Sequence, residues 1–150
     1  MEKKILVCFV VLFAGICVGA YSFGIGLQFN GHASDVFSPG VALALSFTES
    51  THLALNWYFG SVNNLGLTAD YWAFTPGIFF LGAGLYASTL IGSDDFDLKG
   101  GIRFPLGISI KLAKFEIYAQ VAPSIGLKFY PSLGGDRFFF PFALGGRFWF

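Results

Sequence analysis

Between positions 138 and 150 the even residues are Phe138, Phe140, Phe142, Leu144, Gly146, Phe148 and Phe150. The odd ones, counting from Arg137, are Phe139, Pro141, Ala143, Gly145, Arg147 and Trp149, so both charges fall on one side of a two-residue alternation. A strand places alternate residues on opposite faces, whereas a helix would spread those charges around its circumference. The stretch 98–110 repeats the pattern. Leu98, Ile102, Phe104, Leu106, Ile108 and Ile110 share one face, and Lys99, Arg103, Ser109 and Lys111 share the other. Six further segments alternate in the same way, at 21–29, 41–47, 52–60, 65–74, 77–91 and 115–121.

The eight segments predict eight strands, many near the roughly 9–11 residues that cross a bilayer at a tilt. The stretch 71–92 is uncharged over about one helical span, but it carries Pro76, Gly77, Gly82, Gly84 and Gly92, which disfavour a helix. Backbone polar groups in hydrocarbon must all be paired, so membrane strands close into a barrel, and eight is an allowed even number. Connections alternate in length. The longer ones are 30–39, 61–64, 92–97 and 123–136, and the shorter ones are 48–51, 75–76 and 112–114. Short periplasmic turns and long outer loops match that asymmetry. Pro105 and Pro141 each remove a ladder donor within a strand, so a bulge or an early exit is expected at both.

Composition changes the picture by naming the solvent. Charged residues are 12% and hydrophobic ones 55% of the 150 residues, with 20 Phe and 20 Gly. A soluble domain of this size covers its surface with charge, while lipid accepts apolar surface. Formal net charge is zero, so no charge imbalance points to nucleic acid. Lys3 and Lys4, the apolar run 5–19 and the small residues Val18-Gly19-Ala20 read as a signal peptide. This divides the chain into a signal peptide at 1–20 and an outer-membrane β-barrel at 21–150. An uncleaved anchor or a lipoprotein at Cys17 is the competing reading; the run is short for a spanning helix, and Ile16 precedes the cysteine where a small residue belongs. Cys8 and Cys17 both lie in that segment, so no disulfide or thiol chemistry is expected beyond it.

The C-terminal residues Gly145-Gly146-Arg147-Phe148-Trp149-Phe150 resemble the outer-membrane assembly signal at Gly145, Phe148 and Phe150. Leu144 departs from it, since a polar residue is usual there. The chain from 21 to 150 resembles eight-stranded barrels of the OmpA transmembrane-domain and OmpX type. The run 101–109 (Gly-Ile-Arg-Phe-Pro-Leu-Gly-Ile-Ser), with Phe115-Glu116-Ile117-Tyr118 and Val121-Ala122-Pro123, is similar to spirochaetal outer-membrane barrels. These resemblances imply an all-β, antiparallel up-and-down transmembrane barrel in the bacterial outer membrane. Its partners would be membrane lipid, the barrel assembly machinery and, at the outer loops, host proteins.

The face opposite the apolar one carries Asp70, Lys99, Arg103, Glu116 and Arg147, with Gln28, Asn56, Tyr58, Tyr86, Tyr118 and Gln120. An eight-stranded barrel is just wide enough for side chains to fill it. Charges there need partners, so the set is expected to form a network in which Glu116 and Arg147 approach one another. His32 and His52 are assigned to opposite ends, which argues against a shared metal site or a Ser-His-Asp triad. Ser34 and Asp35, beside His32, read as solvated loop. Asp94, Asp95 and Asp97 read as a solvated loop tip, with a weak cation site as the alternative. The reading is a non-enzymatic barrel without a cofactor, displaying loops for adhesion or host-factor binding; the alternative is a narrow channel for small or apolar solutes. A lipid-modifying enzyme ranks last.

Overall fold

The computed structural model describes residues 22–33, 38–60, 63–91, 97–135 and 138–150. The segment read as a signal peptide, with its cleavage position after Ala20, lies outside them. So do Ser34, Asp35, Asp94 and Asp95, and the side chain of His32.

Eleven strand segments follow one another: β1 (Gly24–Ala33), β2 (Ser38–Ser46), β3 (Thr51–Tyr58), β4 (Asn63–Phe74), β5 (Phe79–Ile91), β6 (Leu98–Arg103), β7 (Leu106–Leu112), β8 (Phe115–Val121), β9 (Ser124–Tyr130), β10 (Gly134–Gly135) and β11 (Phe140–Trp149). They build eight wall strands. β5 pairs with both β6 and β7, which are two halves of one strand. β8 and β9 are likewise halves of the next, pairing with β7 and β6. The short β10 pairs with β9 ahead of β11. Every pairing is antiparallel, and β11 pairs with β1, which closes the sheet into a barrel.

Register fixes the shape. Opposed residues lead from Gly24 through Ser46, His52, Asp70, Gly84, Arg103 and Ser124 to Phe139. Phe139 lies one step past the Phe140–Ala33 pair, so the path returns to the first strand ten residues along from Gly24. That stagger tilts the strands and sets the lumen width for the strand number.

The two faces separate as the alternation requires. Leu27, Leu55, Leu67, Leu85, Ile102, Ile117 and Leu144 are exposed on the outside. Gln28, Asn56, Asp70, Arg103, Glu116 and Arg147 are buried on the inside. At one end the strands join through tight turns. In the turn after β2, Thr48 Oγ1 accepts from the Ser50 and Thr51 amides at 3.2 and 3.0 Å, and Ala113 takes φ 56° between β7 and β8.

The prolines behave differently from one another. The strand is interrupted at Phe104 and Pro105, in line with expectation, but without a change of register: Arg103–Ser124 and Leu106–Val121 belong to one continuous alignment. Pro141 stays within β11, opposite His32. The Ala122 amide donates to the Pro141 carbonyl at 2.8 Å. The return donor that a proline lacks is replaced by Ser124, whose hydroxyl reaches the Ala122 carbonyl at 2.7 Å. No bulge forms at Pro141, but the β8–β11 ladder stops one residue short of it, at Phe142–Val121, which is the early exit that the missing donor predicts, and the Ser124 hydroxyl satisfies the acceptor left over.

The loops are shorter than the sequence suggested. β1 runs to Ala33 and β2 begins at Ser38, within the span read as the first loop. β9 and β10 occupy much of the span 123–136. Pro123 had looked like a strand end, yet it only interrupts the ladder: Phe104 still donates to its carbonyl at 2.9 Å.

Candidate functional site in the barrel interior

Side chains of the lumen face meet in layers. The layer nearest the tight turns is built around Arg147, from β11. Its register partner is Glu116, from β8, and Arg147 Nε lies 3.2 Å from Glu116 Oε2. Arg147 and Glu116 are only 2% and 1% exposed, so each is the other's required counter-charge. Glu116 also accepts from Trp149 Nε1 at 2.6 Å and from the Ser109 hydroxyl. Arg147 Nη1 contacts Ser46 Oγ and His52 Nδ1. Its guanidinium lies 4.1 Å from the Tyr118 ring centroid and 4.9 Å from that of Trp72, distances suited to cation–π attraction. Trp72 in turn stacks on Phe80 with centroids 3.7 Å apart. This end of the lumen is thus plugged by one cation wrapped in aromatic rings.

Above it lies an amide layer. Tyr118 OH donates to Gln28 Oε1 at 2.7 Å, Gln28 Nε2 donates to Asn30 Oδ1 at 2.7 Å, and Asn30 Nδ2 donates to Asn56 Oδ1 at 2.7 Å. Beside this layer Arg103 Nε stands 3.1 Å from Asp70 Oδ1. Asp70 and Arg103 are two strands apart, with Gly84 between them in register. A Cβ at Gly84 would sit 2.1 Å from Asp70 Oδ1, so glycine is what lets the carboxylate lean across. Gly145 serves Tyr118 in the same way, since an added Cβ would meet the phenol oxygen at 2.5 Å. At the loop end Asp97 lies 3.8 Å from Lys99 and 3.4 Å from Lys128.

Ser46, His52 and Asp70 are consecutive register partners, and Ser46 Oγ is 2.8 Å from His52 Nδ1. The row has the composition of a hydrolytic triad but not its working geometry. Guanidinium is a donor only, so Arg147 takes up acceptor capacity on both Ser46 and His52. Ser46 is fully buried. The row anchors Arg147 and presents no accessible nucleophile. Among the described residues, no group of three or more His, Cys, Asp or Glu could hold a metal ion.

The chain folds like the N-terminal β-barrel domain of Pseudomonas aeruginosa OprF. The match to that crystal structure has a TM-score of 0.52 at 20% sequence identity, over 85% of this chain and 97% of that one. No family model and no curated protein matches the sequence. The OmpA-type resemblance therefore holds at the level of a closed eight-stranded barrel.

Of the five charged residues singled out in the sequence, Glu116 is brought to Arg147 and Asp70 to Arg103, while Lys99 stands apart with Asp97 and Lys128. Gly145 faces inward beneath Tyr118; Phe148 and Phe150 face outward, with rings 5.3 Å apart, and the Phe150 amide donates to the Phe23 carbonyl at 2.8 Å. The sequence reading missed Ser46, His52, Trp72 and Trp149 as members of the lower layer. The signal was present for Trp72 and Trp149, which share strand faces with Asp70 and Arg147. Ser46 and His52 needed the register as well.

Proposed function

We propose that this protein is an integral β-barrel of the bacterial outer membrane with a filled, non-conducting lumen, adding to membrane integrity and presenting its loop end to host factors. The single observation that carries this reading is the interior. Buried side chains from all eight wall strands fill it, and a cavity among them measures about 20 Å³, near the size of a water molecule. The apolar exterior supplies the membrane part, because water would not tolerate that belt and lipid does. The OprF-like fold supports an outer-membrane address, which the chain would reach through its signal segment, with Gly145, Phe148 and Phe150 recognised by the assembly machinery.

The binding part rests on the hairpin joining β9 to β10. Phe129 and Tyr130 are exposed there, and Leu133 is 78% exposed. Apolar side chains at a loop tip suit a protein surface with an apolar patch of its own.

Planar-bilayer recording tests the lumen. The expected result is a silent membrane; stable single-channel steps would instead support the narrow channel for small or apolar solutes. Replacing Phe129, Tyr130 and Leu133 together by Ser tests display. Binding of host cells or serum proteins to the intact bacterium should fall at least tenfold, and unchanged binding would remove the hairpin from the account.

A further inference from the structure

We infer that the lumen cavity is a binding site for one amphoteric molecule, water, held by His52, Trp72 and Asp70. All three line the cavity, together with Gln28, Thr68 and Arg147. They are 7%, 4% and 7% exposed, so bulk solvent does not serve them. His52 Nε2 and Trp72 Nε1 are buried and have no partner in the protein. Both belong to side chains that line the cavity. Arg147 can only donate, so its contact with His52 Nδ1 makes that nitrogen the acceptor and leaves the ring proton on Nε2. Trp72 Nε1 is a donor by its chemistry. The site therefore offers two N–H donors and, from Asp70, a carboxylate acceptor.

Electrostatics narrows the choice. An anion would meet both donors but would also face the Asp70 carboxylate, with Glu116 in the layer below. A cation would meet the carboxylate but face two N–H groups and the Arg147 guanidinium. A molecule that accepts twice and donates at least once fits every group. A buried water commonly makes about three hydrogen bonds, and a cavity needs roughly 10–15 Å³ to hold one; this one has about 20 Å³. Orphaned donors buried in a closed lumen are otherwise costly, at about 1–3 kcal/mol each. The ring centroids of His52 and Trp72 are 3.9 Å apart, so the two rings that carry the donors are neighbours in the cavity wall. The water would bridge the Arg147 layer to the Asp70–Arg103 pair, two groups with no direct hydrogen bond between them among the described contacts.

The test is nuclear magnetic resonance on the full chain, labelled with ¹⁵N-tryptophan and refolded in deuterated lipid nanodiscs, with solvent water as the probe. The chain has three indole N–H groups. Trp149 donates to Glu116 and serves as the internal control. Trp72 should show a cross-relaxation peak to a long-lived water, and Trp149 should show none. Ala54→Val fills the cavity from its wall and should abolish the Trp72 peak while leaving the Trp149 resonance in place. Ala44→Val, also from the cavity wall, serves the same purpose should the first variant fail to fold. Absence of the peak in the unaltered protein overturns the proposal, as does a peak of undiminished intensity in the filled variant. A Trp72 shift that follows chloride concentration overturns it in favour of an anion.

Discussion

Arg147 organises the interior as a single residue. It meets a carboxylate, a hydroxyl, an imidazole and three aromatic rings. Arg147→Leu would leave Glu116 buried opposite a hydrocarbon side chain. Removing one partner of a buried pair destabilises by about 3–5 kcal/mol, whereas replacing both by apolar groups is often neutral. The expected outcome is a loss of that size for Arg147→Leu in urea unfolding from lipid vesicles, with much of it recovered when Glu116→Leu is added. Equal instability of the single and double variants would show that the pair is not the organising contact. The pairing was readable in the sequence: Glu116 begins the strand after a tight turn, and Arg147 nears the end of its neighbour. The parts played by Ser46 and His52 were not readable, because their distance from Arg147 depends on how β11 closes on β1 and how β2 and β3 register beside it rather than on local pattern.

Single elements were legible by face and less so by length. Period-two alternation assigns inside and outside along all eight wall strands, since one register slip would turn every side chain over. Strand ends are another matter. Pro123 carries the local signature of a break, and only the neighbouring strands show that the ladder resumes at Ser124. Pro141 carries the same signature, and the acceptor left over by its missing donor is satisfied by a hydroxyl two residues beyond the Ala122 carbonyl that it serves. Ser124→Ala should therefore be more damaging than a surface serine would be. It strips the Ala122 carbonyl of its substitute donor at a level where β11 offers none. The expected loss is about 1–3 kcal/mol, the desolvation cost of a buried orphan acceptor. Faster amide exchange at Ala122 and Phe139 should accompany it. Stability within experimental error of the parent protein would mean that the seam needs no such donor.

The molecule as a whole is a closed wall between two solvents. Its apolar residues face outward and its charges inward, the reverse of a soluble protein, and a stagger of ten residues over eight strands sets a lumen that side chains fill. The fold class followed from composition and period together, since lipid alone reconciles 12% charge with an apolar exterior. The extent of the loops did not follow, because wall strands lengthen wherever neighbours can pair. The most direct test of the inside-out wall is a spin-label accessibility scan of positions 98–112 in lipid vesicles. The account predicts oxygen-type, lipid accessibility at Ile102, Phe104, Leu106, Ile108 and Ile110, and protection from it at Arg103, Pro105, Gly107 and Ser109. The alternation should run unbroken through the interrupted ladder at Phe104 and Pro105. Lipid accessibility at Arg103 with protection at Ile102, or a 3.6-residue period, would contradict it.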